Sequence, residues 1–367
     1  MILARELGDL TEGRLGGGAN PRKLQISLCT TDADAQQWQA FVDSHPECTN
    51  YHRWNWKQVI ENTFAWPAFY LMAKENGRVT GILPLAFQKN WPRDSFVSSL
   101  PVLSAGGIVS ENVAAEQELL REAIDLTNRL KAKYLELRYY EKTQLNLPVK
   151  TNKVRVVVPV ADTPEKMWKA LSTKMRTNIR KAESFGLDAQ FGGGELLNAF
   201  YDVFSENMRD LGTPVYSRNL FSEILHAFPN DTYLCVVRKQ GNPVAAAFLT
   251  GFREKIEAKW SSSVRKHLSL KPNMFLYWKL LSFASQHGYR VFDFGRSTVG
   301  SGTHEFKMRW GSQTLPLHWT YWLQDGKPLP EISSQSHPFQ IAIRLWQLLP
   351  VPVTRYIGPK IVKYLPS

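Results

Sequence analysis

Tyr70-Leu-Met-Ala-Lys-Glu-Asn-Gly-Arg-Val-Thr-Gly-Ile-Leu-Pro-Leu-Ala-Phe87 and, 163 residues further on, Tyr233-Leu-Cys-Val-Val-Arg-Lys-Gln-Gly-Asn-Pro-Val-Ala-Ala-Ala-Phe-Leu-Thr250 read as one β-hairpin written twice. Each has an apolar run, a turn whose glycine (Gly77, Gly241) stands where a positive φ is needed, and a second apolar run. The surroundings repeat as well. Tyr51 leads the amphipathic run Trp54/Trp56/Val59/Ile60, and Tyr216 leads Leu220/Phe221/Ile224/Leu225. Downstream, a helix over about 115–131 runs into Tyr134-Leu-Glu-Leu-Arg138, and one over about 273–287 runs into Val291-Phe-Asp-Phe294. Tyr51 and Tyr216 are 165 residues apart, as are Trp56 and Phe221, and Gly77 and Gly241 are 164 apart. Constant order at constant spacing points to a duplicated unit, against the alternative of two unrelated α/β halves. Each unit reads as helix, antiparallel hairpin, helix and further strand. The expected fold class is therefore α/β (α+β) with mixed sheets, in two tandem domains.

Punctuation divides the chain further. Residues 1–23 carry Glu6, Asp9, Glu12 and Gly16-Gly17-Gly18, lack the apolar core of a signal peptide, and read as a disordered lead-in. The first domain is expected over 24–160, closing with the strand Val154 to Val160, and the second over 161–327. A tail over 328–367 is broken by prolines, with only Phe339 to Leu349 helical in pattern. The chain has 367 residues, 43% hydrophobic and 21% charged, ample for two cores. Its 45 Lys and Arg against 33 Asp and Glu, net +12, favour an anionic partner: phosphates, nucleic acid or an acidic membrane surface. No nucleic-acid-binding motif accompanies the charge. Cys29, Cys48 and Cys235 are odd in number and scattered, which indicates neither a disulfide framework nor a zinc site, and suits a cytoplasmic protein. No metal site is expected. No run of about 18 apolar residues offers a membrane span.

Residues 292–311, Phe-Asp-Phe-Gly-Arg-Ser-Thr-Val-Gly-Ser-Gly-Thr-His-Glu-Phe-Lys-Met-Arg-Trp-Gly, hold the densest chemistry. The spacing predicts a strand ending at Gly295, a flexible loop from Arg296 to His304, and a new strand from Phe306. A loop at a strand's mouth is where an α/β protein keeps a polar site, although an Asp293–Arg296 ion pair could simply tie it down. Between Thr163 and Ala182, Trp168, Leu171, Met175 and Ile179 form one helical stripe flanked by Lys169, Lys174, Arg176, Arg180 and Lys181. Arg176 and Arg180 are candidate phosphate ligands, because guanidinium forks match phosphate oxygens; solvated flanks of a core stripe are the alternative. A second anion site is indicated where Val264-Arg-Lys-His-Leu-Ser-Leu-Lys-Pro272 enters a helix. Backbone N–H groups there would be joined by Arg265, Lys266 and Lys271.

With its duplicated unit, Lys174-Met-Arg-Thr-Asn-Ile-Arg-Lys-Ala182 and Asn207-Met-Arg-Asp-Leu-Gly-Thr-Pro-Val215, the chain resembles the FemAB-like proteins of the acyl-CoA N-acyltransferase (GNAT-like) superfamily. Among these it looks most like members associated with exosortase (PEP-CTERM) and exopolysaccharide systems. The resemblance runs from about His45 to Pro352 and implies two GNAT-like domains side by side, with the active cleft in or beside the second. It implies an N-acyl or aminoacyl transferase acting on an amine of a cell-envelope or exopolysaccharide precursor, such as peptidoglycan, with acyl-CoA or aminoacyl-tRNA as donor. The family's catalytic lysine falls on Lys307. The GNAT pyrophosphate loop, Arg/Gln-x-x-Gly-x-Gly/Ala, lacks its glycines here, and the helical arm of tRNA-dependent Fem enzymes is not evident.

On this reading Lys307 stabilises an oxyanion, His304 or Glu305 takes the amine's proton, and Asp293, Arg296 and Tyr216 contact the acceptor. Arg176 and Arg180 would hold substrate phosphates, and Arg265, Lys266 and Lys271 the donor's. A non-catalytic ligand-binding module in an envelope-assembly system is the rival. Residues 332–367 contain no Asp or Glu but carry Arg344, Arg355, Lys360 and Lys363 among apolar residues. That composition suits peripheral contact with the inner face of the cytoplasmic membrane, or a tail packed across the two domains.

Overall fold

Both repeated turns adopt the same backbone. Asn76 and Gly77 have φ of 51° and 79°, and Gln240 and Gly241 have 50° and 79°. Two successive positive φ values match the right-handed twist of the flanking strands, which is why glycine stands second in each. The structure, a computed structural model, describes residues 24–90, 94–324, 328–330 and 337–365. The lead-in expected over 1–23 lies outside the described residues.

In chain order the strands are β1 (Gln25–Leu28), β2 (Ala68–Glu75), β3 (Arg78–Asn90), β4 (Asp94–Ser98), β5 (Val109–Ser110), β6 (Tyr134–Tyr139), β7 (Val149–Lys150) and β8 (Lys153–Pro159). They continue with β9 (Leu187–Gly192), β10 (Thr232–Lys239), β11 (Asn242–Phe252), β12 (Lys255–Ser263), β13 (Val291–Thr298), β14 (Gln313–Pro316) and β15 (His318–Leu323). One sheet runs β1-β2-β3-β4-β6-β15-β7, with β5 also on β3, and the other runs β9-β10-β11-β12-β13-β8-β14. Read side by side, the two orders correspond strand for strand. In each, two parallel strands (β4 with β6, β12 with β13) meet an antiparallel neighbour supplied by the other half of the chain. The sequence division near Val160 assigns β8 to the first unit and β15 to the second, whereas each completes the opposite sheet. Local pattern identifies a strand but not its partner, because pairing is a long-range choice.

The units also share a core. The corresponding helices Trp56–Phe64 and Arg218–Ala227 pack on each other, with Asn55 Nδ2 donating to Ala227 O at 2.7 Å and Asn62 Nδ2 to Glu223 Oε2 at 2.8 Å. Trp38, Trp56 and Tyr70 of the first unit and Phe200, Phe221 and Phe248 of the second are buried in one continuous cluster. Each such side chain contributes about 1.5–3 kcal/mol by leaving water. The helices Val113–Arg129 and Pro272–Gln286 cover the outer faces.

Two helix expectations change. The single helix over 163–182 is two, Pro164–Ala170 and Thr173–Ser184, because the backbone is extended at Leu171 and Ser172, and Ser172 Oγ caps the second helix by accepting Met175 N–H. The tail forms two helices, His337–Leu348 and Val351–Val362. The second tolerates Pro352 in its first turn, where an N–H has no helical partner. It packs on the helix Leu197–Asp210, where Arg355 Nη2 donates to Asp202 Oδ1 at 2.7 Å and Arg355 Nε to Ser205 Oγ at 2.7 Å. No helix among the described residues is long and apolar enough to cross a membrane.

Because β15 lies between β6 and β7, Thr320→Pro removes ladder bonding from inside the first sheet although it lies after the second unit. The expected result is a loss of about 1–3 kcal/mol, seen by calorimetry as one cooperative transition at lower temperature. Two separated transitions, with only the second unit weakened, would contradict the exchange.

Candidate active site

β12 and β13 pair in parallel at Lys255–Val291, Ile256–Phe292 and Glu257–Asp293, and then part. Both strands are irregular there. β12 carries an extra residue against β11, between the pairs Phe248–Trp260 and Thr250–Glu257, and β13 slips against β8 between Asp293 and Arg296. Gly295 sits in the slip at φ 74°, a conformation that disfavours side chains. Strand alternation sends Phe292 and Phe294 into the outer core with Ile256 and Ala258, and leaves Glu257 and Asp293 on the face towards the first unit.

The first unit has the same parting at Val97–Leu135 and Ser98–Glu136, with a different outcome. Its following loop is stitched back, Ser99 N–H to Glu136 O at 2.9 Å and Gly107 N–H to Arg138 O at 2.8 Å. Glu136 is neutralised by Arg138 at 2.6 Å and accepts Tyr321 OH at 2.7 Å. Where the first unit has serine and a paired glutamate, the second has two carboxylates.

Around those carboxylates the chain gathers buried polar groups from both units. Glu257 Oε2 accepts a hydrogen bond from Tyr51 OH. Asp293 Oδ1 accepts Gly295 N–H at 2.7 Å, and Arg155 Nη1 stands 3.8 Å from Asp293 Oδ2. Lys307 Nζ donates to Gly295 O at 3.1 Å and Arg296 O at 2.9 Å, covering carbonyls that the slip frees. Lys259 Nζ donates to Ser104 Oγ at 3.4 Å and lies 5.3 Å from the Tyr51 ring. Burial, then Glu257, pushes Asp293 up to about 7, against the pull of Arg155, the Gly295 N–H and Lys307. Burial brings Lys307 down to about 8 and Lys259 to about 7. Cys48 lines the adjoining cavity, but burial pushes its thiol up to about 12, which removes it as a nucleophile at neutral pH.

Of the residues singled out from sequence, Asp293, Lys307 and Arg296 meet here. The alternative reading of this stretch, an Asp293–Arg296 ion pair, is not formed among the described residues, where Asp293 has Arg155 as its cation. Arg296, half-buried, donates to Val102 O at 3.5 Å and faces the Trp319 ring at 5.4 Å. Tyr216 is near enough that Arg296 and Arg138 oppose the upward push of burial on its hydroxyl. His304 and Glu305 stand elsewhere: β13 continues to Thr298, and the stretch read as loop and strand is the helix Gly302–Met308. His304 bonds Thr314 Oγ1 at 2.9 Å and receives Gly300 N–H at 3.4 Å, while Glu305 is exposed. Sequence reasoning missed Glu257, Lys259, Tyr51 and Arg155. Glu257 sits between Ile256 and Ala258 as Asp293 sits between phenylalanines, so the same test would have found it.

The two basic elements converge beside the helix Pro272–Gln286, since Lys271 Nζ donates at 2.5 Å to Oδ1 of Asn178, on the helix that bears Arg176 and Arg180. Backbone donors are scarce at that end. Pro272 has no N–H, Met274 N–H is spent on Lys271 O at 3.0 Å, and Lys266 pairs with Glu206 at 3.4 Å. The helix end therefore lacks the N–H cradle of a glycine-rich pyrophosphate loop.

The acetyltransferase (GNAT) domain family model matches residues 169–308, which gives the second unit a GNAT-like domain. No curated protein matches the chain. Among solved structures, one titled FemX aligns over 80% of this chain and 96% of its own, at 15% identity and a TM-score of 0.63. The C-terminal domain of a putative lysylphosphatidylglycerol synthetase from Agrobacterium fabrum aligns over 81% of this chain and 93% of its own, at 12% identity and 0.53. A tandem GNAT protein from the clavulanic acid biosynthesis pathway aligns over 84% of this chain and all of its own, at 11% identity and 0.51. The fold is a tandem of two GNAT-like domains, the duplication being the one the repeat indicated and the GNAT-like character the one the resemblance implied.

Lys307→Met strips the donor from two carbonyls, at about 1–3 kcal/mol for each buried group left unsatisfied. Thermal denaturation should show a Tm lower by several degrees. An unchanged Tm would mean that the lysine does not brace the slip.

Proposed function

We propose that this protein is an N-acyl or aminoacyl transferase whose acceptor amine meets Asp293 and Glu257 from the cleft between the two units. The observation that carries the reading is the pair of buried carboxylates at the parting of β12 and β13, in a unit that matches an acetyltransferase domain. Burying two acids against each other costs stability, and one of them is thereby held near neutrality, where a general base is most useful.

In the proposed reaction the amine lone pair forms a C–N bond to the donor's acyl carbon, giving a tetrahedral oxyanion. Its collapse breaks the C–S bond of a thioester or the C–O bond of an ester. Asp293, with Glu257 held by Tyr51 beside it, accepts the proton that the amine sheds, and the leaving group is protonated in turn. Lys307 and Arg296 contribute positive charge next to this point, in surroundings dry enough for the charge to matter. His304 and Glu305 have no part in it. The donor's phosphates, if it is an acyl thioester of coenzyme A, would lie on side-chain cations, Arg176, Arg180, Arg265, Lys266 and Lys271, because the helix end has few free N–H groups. An aminoacyl donor, which the FemAB-like resemblance implies, is the second choice. The FemAB-like motifs support an amine of an envelope or exopolysaccharide precursor as acceptor.

Transfer assays on the purified chain with labelled acyl-CoA or aminoacyl-tRNA and a panel of amines test the reading. Asp293→Asn should lower kcat roughly 100- to 10,000-fold, the range lost with a general base, while Tm is kept. The base is active only when ionised, so kcat/KM should climb through about pH 7 as Asp293 loses its proton. Lys307 acts as a cation, so the rate should fall again above about pH 8. Ligand binding without transfer from any donor would leave a binding module and remove the transferase.

A further inference from the structure

Arg155 is a buried guanidinium with a loose set of partners. Its side chain is 10% exposed, and its buried Nε has no hydrogen-bond partner among the described residues. Its carboxylate neighbours stand off at 3.7 Å (Glu141) and 3.8 Å (Asp293), beyond the roughly 2.7–3.2 Å of an N–H···O bond. Glu141 is itself 86% exposed, so water competes for it. The guanidinium lies over the Tyr140 ring at 4.2 Å, which fixes the direction of its fork. Two cavities, of about 250 and 520 Å³, meet at this residue, and Arg155, Tyr140, Lys255 and Thr49 line both. Lys255 is a second cation there, its pKa lowered by burial and then by Arg155. An arginine present only to neutralise Asp293 would form a close, bidentate pair. This one is held back, and faces open volume.

We propose that Arg155 is the anion-recognition residue of this cleft, and that the molecule bound there carries an oxyanion, a carboxylate or a phosphate, a few bonds from its amine. Such a ligand completes the guanidinium's hydrogen bonds and sets its amine beside Asp293. Calling that ligand the acceptor rests on the transferase reading; its binding does not. The residue comes from β8, the strand borrowed from the first half of the chain, so the second unit's site is incomplete without the exchange.

Thermal shift and titration calorimetry on the full chain test this with phosphoethanolamine, β-alanine and ethanolamine as probes. The two anionic amines should raise Tm in a saturable way and ethanolamine should not, and which of the two acts identifies phosphate or carboxylate. Arg155→Met should weaken the effective probe at least tenfold, Arg155→Lys should restore part of the loss, and Lys255→Ala, at an exposed position, should weaken it severalfold. Equal responses in wild type and in both Arg155→Lys and Lys255→Ala, or none to either anionic amine, would overturn the proposal. Binding that obeys these expectations without acyl transfer would sink the transferase reading alone. Transfer to neutral amines that ignores Arg155→Lys would sink this one alone.

A separate observation concerns the tail. Ile341, Leu345 and Leu348 are 47%, 60% and 80% exposed along one side of the helix His337–Leu348, and Val353 and Tyr356 continue the apolar surface at 41% and 70%. The other side is fastened down: Gln347 Nε2 donates to Asp210 O at 3.0 Å and Arg209 Nη1 to Leu349 O at 3.2 Å. The tail thus packs on the body and still presents an apolar face. Arg344 and Lys360 are exposed, and residues 332–367 hold no acid. We infer that this face docks on an anionic lipid surface, because apolar anchors beside unopposed cations match a negatively charged bilayer. Flotation with phosphatidylcholine vesicles, with and without phosphatidylglycerol, tests it. The protein should float only with the anionic vesicles, less so at high salt, and Leu345→Glu with Leu348→Glu should abolish flotation at unchanged Tm. Failure to float, undiminished flotation of the double variant, or a wild-type dimer that the double variant dissolves would each overturn it.

Discussion

The exchange of β8 and β15 between the sheets is the constraint on which the molecule depends. Each unit leaves the inner edge of its parallel pair open, and each fills the other's edge. An unpaired edge next to a buried core would leave a row of backbone donors and acceptors without partners, so neither sheet is complete alone. The site follows from this arrangement. β8 brings Arg155 to Asp293, and β15 brings Trp319, whose ring faces Arg138 at 4.2 Å and Arg296 at 5.4 Å. Two of the segments that meet at the site are brought there by short strands that cross over.

Within this near-symmetry the two copies are used differently. At corresponding positions the first unit has Ser98 and Glu136, the second Glu257 and Asp293. The first closes its own parting with backbone hydrogen bonds and a tight ion pair, and then serves as a wall. Its loop supplies Leu103 O to Arg138, Val102 O to Arg296 and Ser104 Oγ to Lys259. The second keeps its parting open and fills it with groups that burial holds away from their ordinary protonation, Asp293 upward and Lys259 and Lys307 downward. Selection for stability alone would replace such groups, and their concentration on one side of the pseudo-symmetry is the reason the proposed site is put there.

Legibility in the sequence followed the range of each interaction. The hairpins were readable because a two-residue turn and alternating strands are decided within about a dozen residues. Asp293 is readable as an acid in an alternating apolar strand, and Lys307 through the FemAB-like resemblance. The expectation that His304 or Glu305 serves as base beside Lys307 assumes a loop from Arg296 to His304. In a helix, successive residues point about 100° apart, and the helix Gly302–Met308 turns Lys307 inward and Glu305 to water. Arg155, inside Val154-Arg-Val156, has the pattern of a strand with one wet face, and nothing local says that this face meets a second domain. The second tail helix escaped notice because Pro352 and Pro359 suggest irregular chain, yet one falls in a first turn.

The amino-acid sequence by itself determined the repeated unit, the mixed α/β character of each copy, and which segment is densest in charged and polar side chains. These are set by short-range patterning, which the folded environment only selects among. Tertiary structure alone decided which sheet β8 and β15 join, that Glu257 and not His304 stands beside Asp293, and that Arg155 faces a cavity with its Nε unpartnered among the described residues. Each of those outcomes is a contact between residues far apart in the chain, and the energy of such a contact depends on what the rest of the molecule brings next to it.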